Sequence, residues 1–379
     1  MARSSIRGLT WDHPRGFAAL DAASALPEAA RLNLQWQTQS LEGFESHPIG
    51  ELCEQYDLVV LDHPHVGEAV EAGCLWPLEE LFSAQELQGW AAQSVGASYE
   101  SYAWQGKQWA LPLDAATQVA AARADLIDGA LPVSWADVVG LSSDGGVCLS
   151  IGGPHAMLSF CSMMTAFGSP PEVERSAAHF VDEATALEVL DVMATLVGRM
   201  TPATHTLNPI QMLEFMIRND EVRFCPLIYG YVNYATRTNE RAPVRFLDVP
   251  VAKPASRHGS TLGGTGIALS RRSKPSRELL DHLRFLMSEG TQVDFIPAHH
   301  GQPSHRAAWT HAGVNDVSGN FYRNTLTTIE QAYVRPRYSG YIAFQTHASS
   351  AIRAALVDGT SHRQLIAALN SGFKQQSVR

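Results

Sequence analysis

The chain has 379 residues, 45% apolar and 17% charged, with a formal net charge of -10. That length suits two or three domain-sized units, and a low charged share with ordinary Gly and Pro content excludes a disordered or collagen-like chain. With 38 acidic against 28 basic residues and no Lys/Arg block, neither nucleic acid nor membrane is an expected partner; small molecules or proteins are.

Short apolar runs alternate with helical patterns from the start, so an α/β layout with mainly parallel sheets is expected. Residues 6–9 read as a first strand. Phe17, Leu20 and Leu26 then suit a helix that Pro27 limits, and Leu32, Leu34 and Trp36 alternate at period two as a second strand would. Residues 58–61 read as a third. The polar loops 10–16, 37–40 and 62–67 follow these strands, where open α/β sheets bind ligands. A second block begins after Trp109 to Leu113, with residues 147–151 as a strand and Leu187, Leu190, Met193, Leu196, Val197 and Met200 on one helix face. Asn208-Pro209 and Pro275 with Glu278 read as helix starts, and 224–228, 246–251 and 265–270 as strands.

Cys53, Cys74, Cys148, Cys161 and Cys225 are scattered and lack a Cys-x-x-Cys spacing, so neither a disulfide framework nor a thiolate zinc site is expected, and a reducing compartment fits. Arg3, Arg7 and Asp12 interrupt the place a secretory signal would occupy, which gives the expectation of a cytoplasmic protein, or a periplasmic one if a leader was omitted. The uncharged stretch 145–171 is broken by Gly and Pro, so no membrane span is expected.

Segments 108–114 (Gln108-Trp109-Ala110-Leu111-Pro112-Leu113-Asp114), 134–137 (Ser134-Trp135-Ala136-Asp137), 263–270 (Gly263-Gly264 through Ala268-Leu269-Ser270) and 301–309 (Gly301-Gln302-Pro303-Ser304-His305-Arg306 through Trp309) occur in a telling order. Together they resemble the family 1 extracellular solute-binding proteins of ABC importers. The resemblance implies a two-lobe α/β fold of the periplasmic-binding-protein type II class, with the ligand held between lobes that close by a hinge. It implies crossings near 111–114, 245–249 and 298–304, with lobe 1 made of 1–110 plus 246–297 and lobe 2 of 111–245 plus 298–379.

Candidate contacts follow from residue type and place. Trp11, Asp12, His13 and Arg15 supply an aromatic face, a carboxylate, an imidazole and a guanidinium; the competing reading packs Trp11 in the core and pairs Arg15 with Asp12. Asp62, His63 and His65 echo the first loop and suit polar ligand contact; a His-x-His metal set completed by His13, His299 or His300 is the lesser reading, so no metal and no cofactor is expected. Asp114 and Thr117 sit beside the first implied crossing. His155 follows Gly152-Gly153 ahead of a helix, Tyr229 and Tyr231 follow the 224–228 strand, and Gly264 and Thr265 allow close backbone approach. Gln302 and Arg306 lie at the last implied crossing, with Arg306 a candidate anion anchor of lobe 2. Cys161, on an apolar run, reads as a buried core thiol. These residues predict a monomeric solute-binding protein closing over an anionic or polyhydroxylated ligand, sugars included, with an ABC permease as partner if exported. The alternative is a cytoplasmic enzyme or metabolite sensor using the Asp/His cluster.

Overall fold

The computed structural model describes residues 5–236, 243–254 and 256–376. Elements in the first stretch are β1 (Ile6–Trp11), α1 (Pro14–Ser24), β2 (Leu34–Gln39), α2 (Leu41–Ser46), α3 (Ile49–Gln55), β3 (Leu58–Leu61), α4 (Val66–Glu71) and α5 (Ala84–Gln93). A small hairpin, β4 (Ala103–Trp104) and β5 (Lys107–Gln108), precedes the long strand β6 (Leu111–Ala122). There follow α6 (Trp135–Leu141), α7 (His155–Ala166), α8 (Glu183–Val197), α9 (Pro209–Arg218), β7 (Phe224–Tyr229), β8 (Arg245–Leu247) and β9 (Leu262–Leu269). The last elements are α10 (Arg277–Met287), α11 (Ile296–Ala298), α12 (Arg306–Thr310), α13 (Ala312–Val317), α14 (Phe321–Glu330), α15 (Tyr341–Asp358) and α16 (His362–Gln376).

These elements form two compact units. Unit 1 comprises the chain up to Ala116 with Gly263–Asp316 and Arg337–Ser339; unit 2 comprises Thr117–Leu262, Val317–Pro336 and Gly340–Arg379. Residues 246–262, expected in lobe 1, group with unit 2, and 298–316, expected in lobe 2, group with unit 1.

In unit 1 the strand order is β2, β1, β3, β9, with β1 parallel to both its neighbours and β9 antiparallel to β3. All of β3 is buried, as its unbroken run of Leu58, Val59, Val60 and Leu61 requires of a central strand covered on both faces. Leu9, Leu52, Val59, Leu61, Val66, Tyr102 and Ala268 form one core that ties α3 and α4 to the sheet. Burial of such side chains contributes about 1.5–3 kcal/mol each.

In unit 2 the sheet is antiparallel: the second half of β6 pairs with β7 on one side, Val119 opposite Ile228, and with β8 on the other, Ala121 opposite Phe246. The expectation of mainly parallel sheets therefore holds for β1, β2 and β3 and fails here. Residues 147–151 do not form a strand; Val147 makes a single bridge to Phe224, and the Ser150 carbonyl is taken by the Ser159 hydroxyl at 2.8 Å. The expected 246–251 strand stops at Leu247, because the Val249 N–H goes to the Thr328 hydroxyl (3.1 Å) and its carbonyl to His258 Nδ1 (2.7 Å). Every residue of α7 is buried, which fits its apolar run of Met157 to Met164 and its packing among α8 and α15. Asn208 caps α9 through a reciprocal bond pair with Gln211, as Asn before Pro predicts.

No helix among the described residues is long and apolar enough to cross a membrane.

Candidate functional site

A cluster of polar side chains in unit 1 lies where β1 runs out. After Trp11 the chain turns sharply, with Asp12 N–H on the Gln39 carbonyl (2.7 Å) and His13 N–H on the Trp11 carbonyl (3.0 Å). His13 caps α1: its Nδ1 accepts the Arg15 N–H at 3.1 Å while Pro14 opens the helix. Gly16 is required at the next position, because a Cβ there would fall 2.3 Å from Trp11 Nε1. That absence lets the helix start settle on the indole, and the Thr10 hydroxyl fastens it by donating to the Gly16 carbonyl at 2.8 Å.

Trp11 is 3% exposed and stacks on the His13 ring at 5.3 Å, with the Arg15 guanidinium carbon 5.6 Å from its centroid. Arg15 does not pair with Asp12, which is exposed; it forks onto Asp114, with Nε donating to Oδ2 at 2.7 Å and the second nitrogen to Oδ1. Both side chains are buried, so the pair satisfies two charges that would otherwise be costly. Burial pushes the Asp114 carboxyl up, and the adjacent guanidinium works against that shift. Burial and then the Arg15 charge lower His13 from 6.5 to about 3, so the imidazole is neutral and its proton sits on Nε2. This follows from Nδ1 being the cap acceptor.

Neighbouring backbone locks Asp114 in place. Asp114 bridges Pro303, and Gln302 clasps Ala115 twice, its carbonyl accepting at 3.2 Å and its Nε2 donating at 2.9 Å. Gly264, at φ +94, brings its backbone so close that a Cβ would lie 2.4 Å from the Asp114 carbonyl. Thr265 and Gln302 line a small cavity beside the ion pair, about 20 Å³ in volume, which is room for about one water.

The second loop is built differently. The Asp62 carboxylate accepts the His63 N–H at 2.9 Å and lies 3.1 Å from His63 Nδ1, so it caps the short turn that carries both histidines. His63 is fully buried against the edge of Tyr102, and His65 is 3% exposed. Gly67 packs directly on chain: a Cβ there would be 1.8 Å from the Arg337 carbonyl. His299 bonds the Phe295 carbonyl through Nδ1 at 2.8 Å. Among the described residues no group of three or more His, Cys, Asp or Glu is placed to hold a metal ion. Arg306, the candidate anion anchor, begins α12 in unit 1 and is exposed.

In unit 2, Thr117 belongs to an internal hydroxyl and amide network. It bonds the Ser260 hydroxyl at 2.5 Å and the Thr261 carbonyl at 3.1 Å. Ser162 joins the same network, donating to Gln118 Oε1 at 2.6 Å and accepting the Thr261 N–H at 2.8 Å. Gln118, Ser162 and Thr261 escaped the sequence reading; Ser260-Thr261, one residue before Gly263-Gly264, was the available signal. His155 opens α7, buried, edge-on to Tyr229 at 5.9 Å. Tyr229 is half-buried and donates to the Leu262 carbonyl at 3.4 Å, and Tyr231 is buried against Tyr234. Cys161 is buried and its thiol is pushed up to about 12 by that burial, as befits a core thiol.

Comparison of the whole chain with solved structures places this architecture. An ABC transporter solute-binding protein from Agrobacterium radiobacter K84, in complex with ribitol, matches at TM-score 0.79 and 17% identity over 99% of both chains. One from Thermotoga lettingae bound with α-D-tagatose matches at TM-score 0.81 and 13% identity, covering 99% of this chain and 100% of that one. The fold is that of the ABC transporter solute-binding proteins. Maltose-bound MalE3 of T. maritima shares this solute-binding fold at TM-score 0.79, with 16% identity over 99% of both chains. No protein-family profile and no curated protein sequence matches the chain.

Proposed function

We propose that the chain is a solute-binding protein of the ABC-import kind and that its ligand is a small polyhydroxylated molecule, a polyol or sugar. The observation that carries this reading is the fold match over essentially the whole chain to structures holding ribitol, tagatose and maltose. Unit 1 supports a hydroxylated rather than an anionic ligand. Its best-placed cation, Arg15, already forks onto Asp114, so an anion would have to displace a buried carboxylate. What the strand ends present instead is the exposed Asp12 carboxylate, the half-buried Asp62 carboxylate and the neutral His13 imidazole. Carboxylate acceptors beside a neutral N–H donor match vicinal hydroxyls, each of which both donates and accepts.

The reading is tested by thermal unfolding of the purified chain against pentitols, ketohexoses, maltose, dicarboxylates and phosphorylated metabolites, with mass spectrometry of each stabilising compound after incubation. A ligand that binds the folded state raises its apparent stability. Stabilisation by a neutral polyol or sugar recovered intact is expected. Stabilisation confined to anions, or conversion of the compound, would overturn it.

A further inference from the structure

Unit 1 holds a second polar recess, at the amino ends of its parallel strands. Ile6 opens β1, Leu32 leads into β2 and Asp57 precedes β3. Because β9 runs antiparallel to β3, with Leu269 opposite Leu58, the chain leaving β9 brings residues 272–276 to the same end of the sheet. The cavity formed there is about 460 Å³, within the range of small-ligand pockets. The loop that carries Asp12 follows the other end of β1, roughly 17 Å away at about 3.3 Å per residue.

The lining carries three cations, Arg31, Arg272 and Lys274, against two carboxylates, Asp57 and Glu278. Asp57 is already spent within the protein: Oδ2 accepts the Arg7 N–H at 2.9 Å and Oδ1 lies 3.4 Å from Arg272 Nε. Arg272 gives Nη1 to the Glu54 carbonyl at 3.1 Å, which leaves Nη2 for a further acceptor. Lys274 is exposed, and among the described residues its ammonium has no partner. Ser273 is only 4% exposed. Its N–H donates to the Ser270 carbonyl at 3.0 Å and its own carbonyl accepts from Trp76 Nε1 at 3.3 Å. The hydroxyl is therefore the group Ser273 has left for the cavity, and no described residue bonds it. Beside it Ser276 caps α10, its hydroxyl accepting the Leu279 N–H at 3.2 Å, so the positive end of an eleven-residue helix adds to the same field.

We propose that this cavity binds the phosphoryl group of a small soluble molecule, at a site separate from the solute loops. The Ser273 hydroxyl donates to one phosphoryl oxygen, while the Lys274 ammonium and Arg272 Nη2 hold the others and offset their charge. Soluble phosphate is favoured over a lipid headgroup because the large apolar side chains that stand exposed among the described residues, Val133, Val173, Val317 and Val357, all belong to unit 2. None of them is placed beside this cavity to enter a bilayer. The assignment does not depend on the identity of the solute.

The test is isothermal titration of the full chain with inorganic phosphate at an ionic strength held constant with sodium chloride. Saturable one-to-one binding is expected. Lys274→Gln should weaken it about fivefold and Lys274→Glu should remove it; neither change disturbs a contact of the folded chain. Ser273→Ala should also weaken it. Arg277→Gln removes an equally close positive charge that does not line the cavity, and it should leave phosphate binding unchanged. A parallel arm sediments the chain with vesicles containing phosphatidic acid, and no capture is expected. Absence of saturable phosphate binding, binding that survives Lys274→Glu, equal weakening by Lys274→Gln and Arg277→Gln, or capture by the vesicles would each overturn the proposal.

Discussion

Arg15 and Asp114, 99 positions apart in sequence, form a buried two-point ion pair that fixes the start of α1 to β6. Removing either partner strands the other charge in a site with room for about one water, so Arg15→Ala or Asp114→Ala should each lose about 3–5 kcal/mol of stability. The pair itself is worth far less than that loss. Replacing both, Arg15→Met with Asp114→Leu, should therefore be much milder than either single change, and equilibrium urea unfolding of the three variants would show it. Three equal losses would mean that the ion pair is not the determinant.

His13 makes a pH-dependent contribution of definite sign. Its folded value of about 3 lies below the ordinary 6.5, so between those limits the unfolded chain binds a proton that the folded chain refuses. The contribution is fully present above pH 6.5 and is lost as pH falls toward 3. His282, buried and lowered to about 4, acts in the same direction. His13→Asn keeps a cap acceptor without the titration and should flatten the acid limb of stability against pH, measured by denaturant midpoints from pH 4 to 7. An unchanged slope would show that the imidazole is not held neutral.

Two glycines are there for contact rather than flexibility. Gly67→Ala would drive a Cβ into the Arg337 carbonyl, and Gly264→Ala adds both a clash with the Asp114 carbonyl and a left-handed φ of +94. Each should cost at least about 1–3 kcal/mol. Gly129→Ala, also at positive φ but with open space around its Cβ, should cost less, about 1 kcal/mol. Thermal unfolding of the three orders them, and an equal effect at all three would contradict the contact argument.

The buried network of unit 2 has a hydroxyl at its centre. Ser162→Ala leaves Gln118 Oε1 and the Thr261 N–H short of a partner and should destabilise by about 1–3 kcal/mol, whereas Ser143→Ala, on an exposed hydroxyl, should be near neutral.

The sequence was most readable where one local rule governs. Continuous apolar residues at 58–61 and Asn208-Pro209 ahead of an apolar face became β3 and α9 at the expected places. The loop after β1 was recognisable by its residue types. Its wiring was not, since Arg15 had a nearby carboxylate in Asp12 and a distant one in Asp114, and only the fold decides between them. The same holds for 147–151, whose apolar run suits a strand but which makes an isolated bridge from Val147 to Phe224 and gives its Ser150 carbonyl to the Ser159 hydroxyl. The candidate residues themselves divide by burial: Asp12, His13, Asp62 and Arg306 keep a surface, while Arg15, His63, His65, Thr117 and Gln302 are buried in the structure. Periodicity reports which face of an element is covered, and it carries no information on polar partners that arrive from a hundred residues away.

The central claim, that the chain binds a neutral polyhydroxylated solute without changing it, is met most directly by isothermal titration of the purified protein with ribitol, D-tagatose and maltose. Saturable one-to-one binding of at least one of them, little changed by an added dicarboxylate and followed by recovery of the intact ligand, is the predicted result. Absence of binding to all three alongside saturable binding of an anionic metabolite would contradict it.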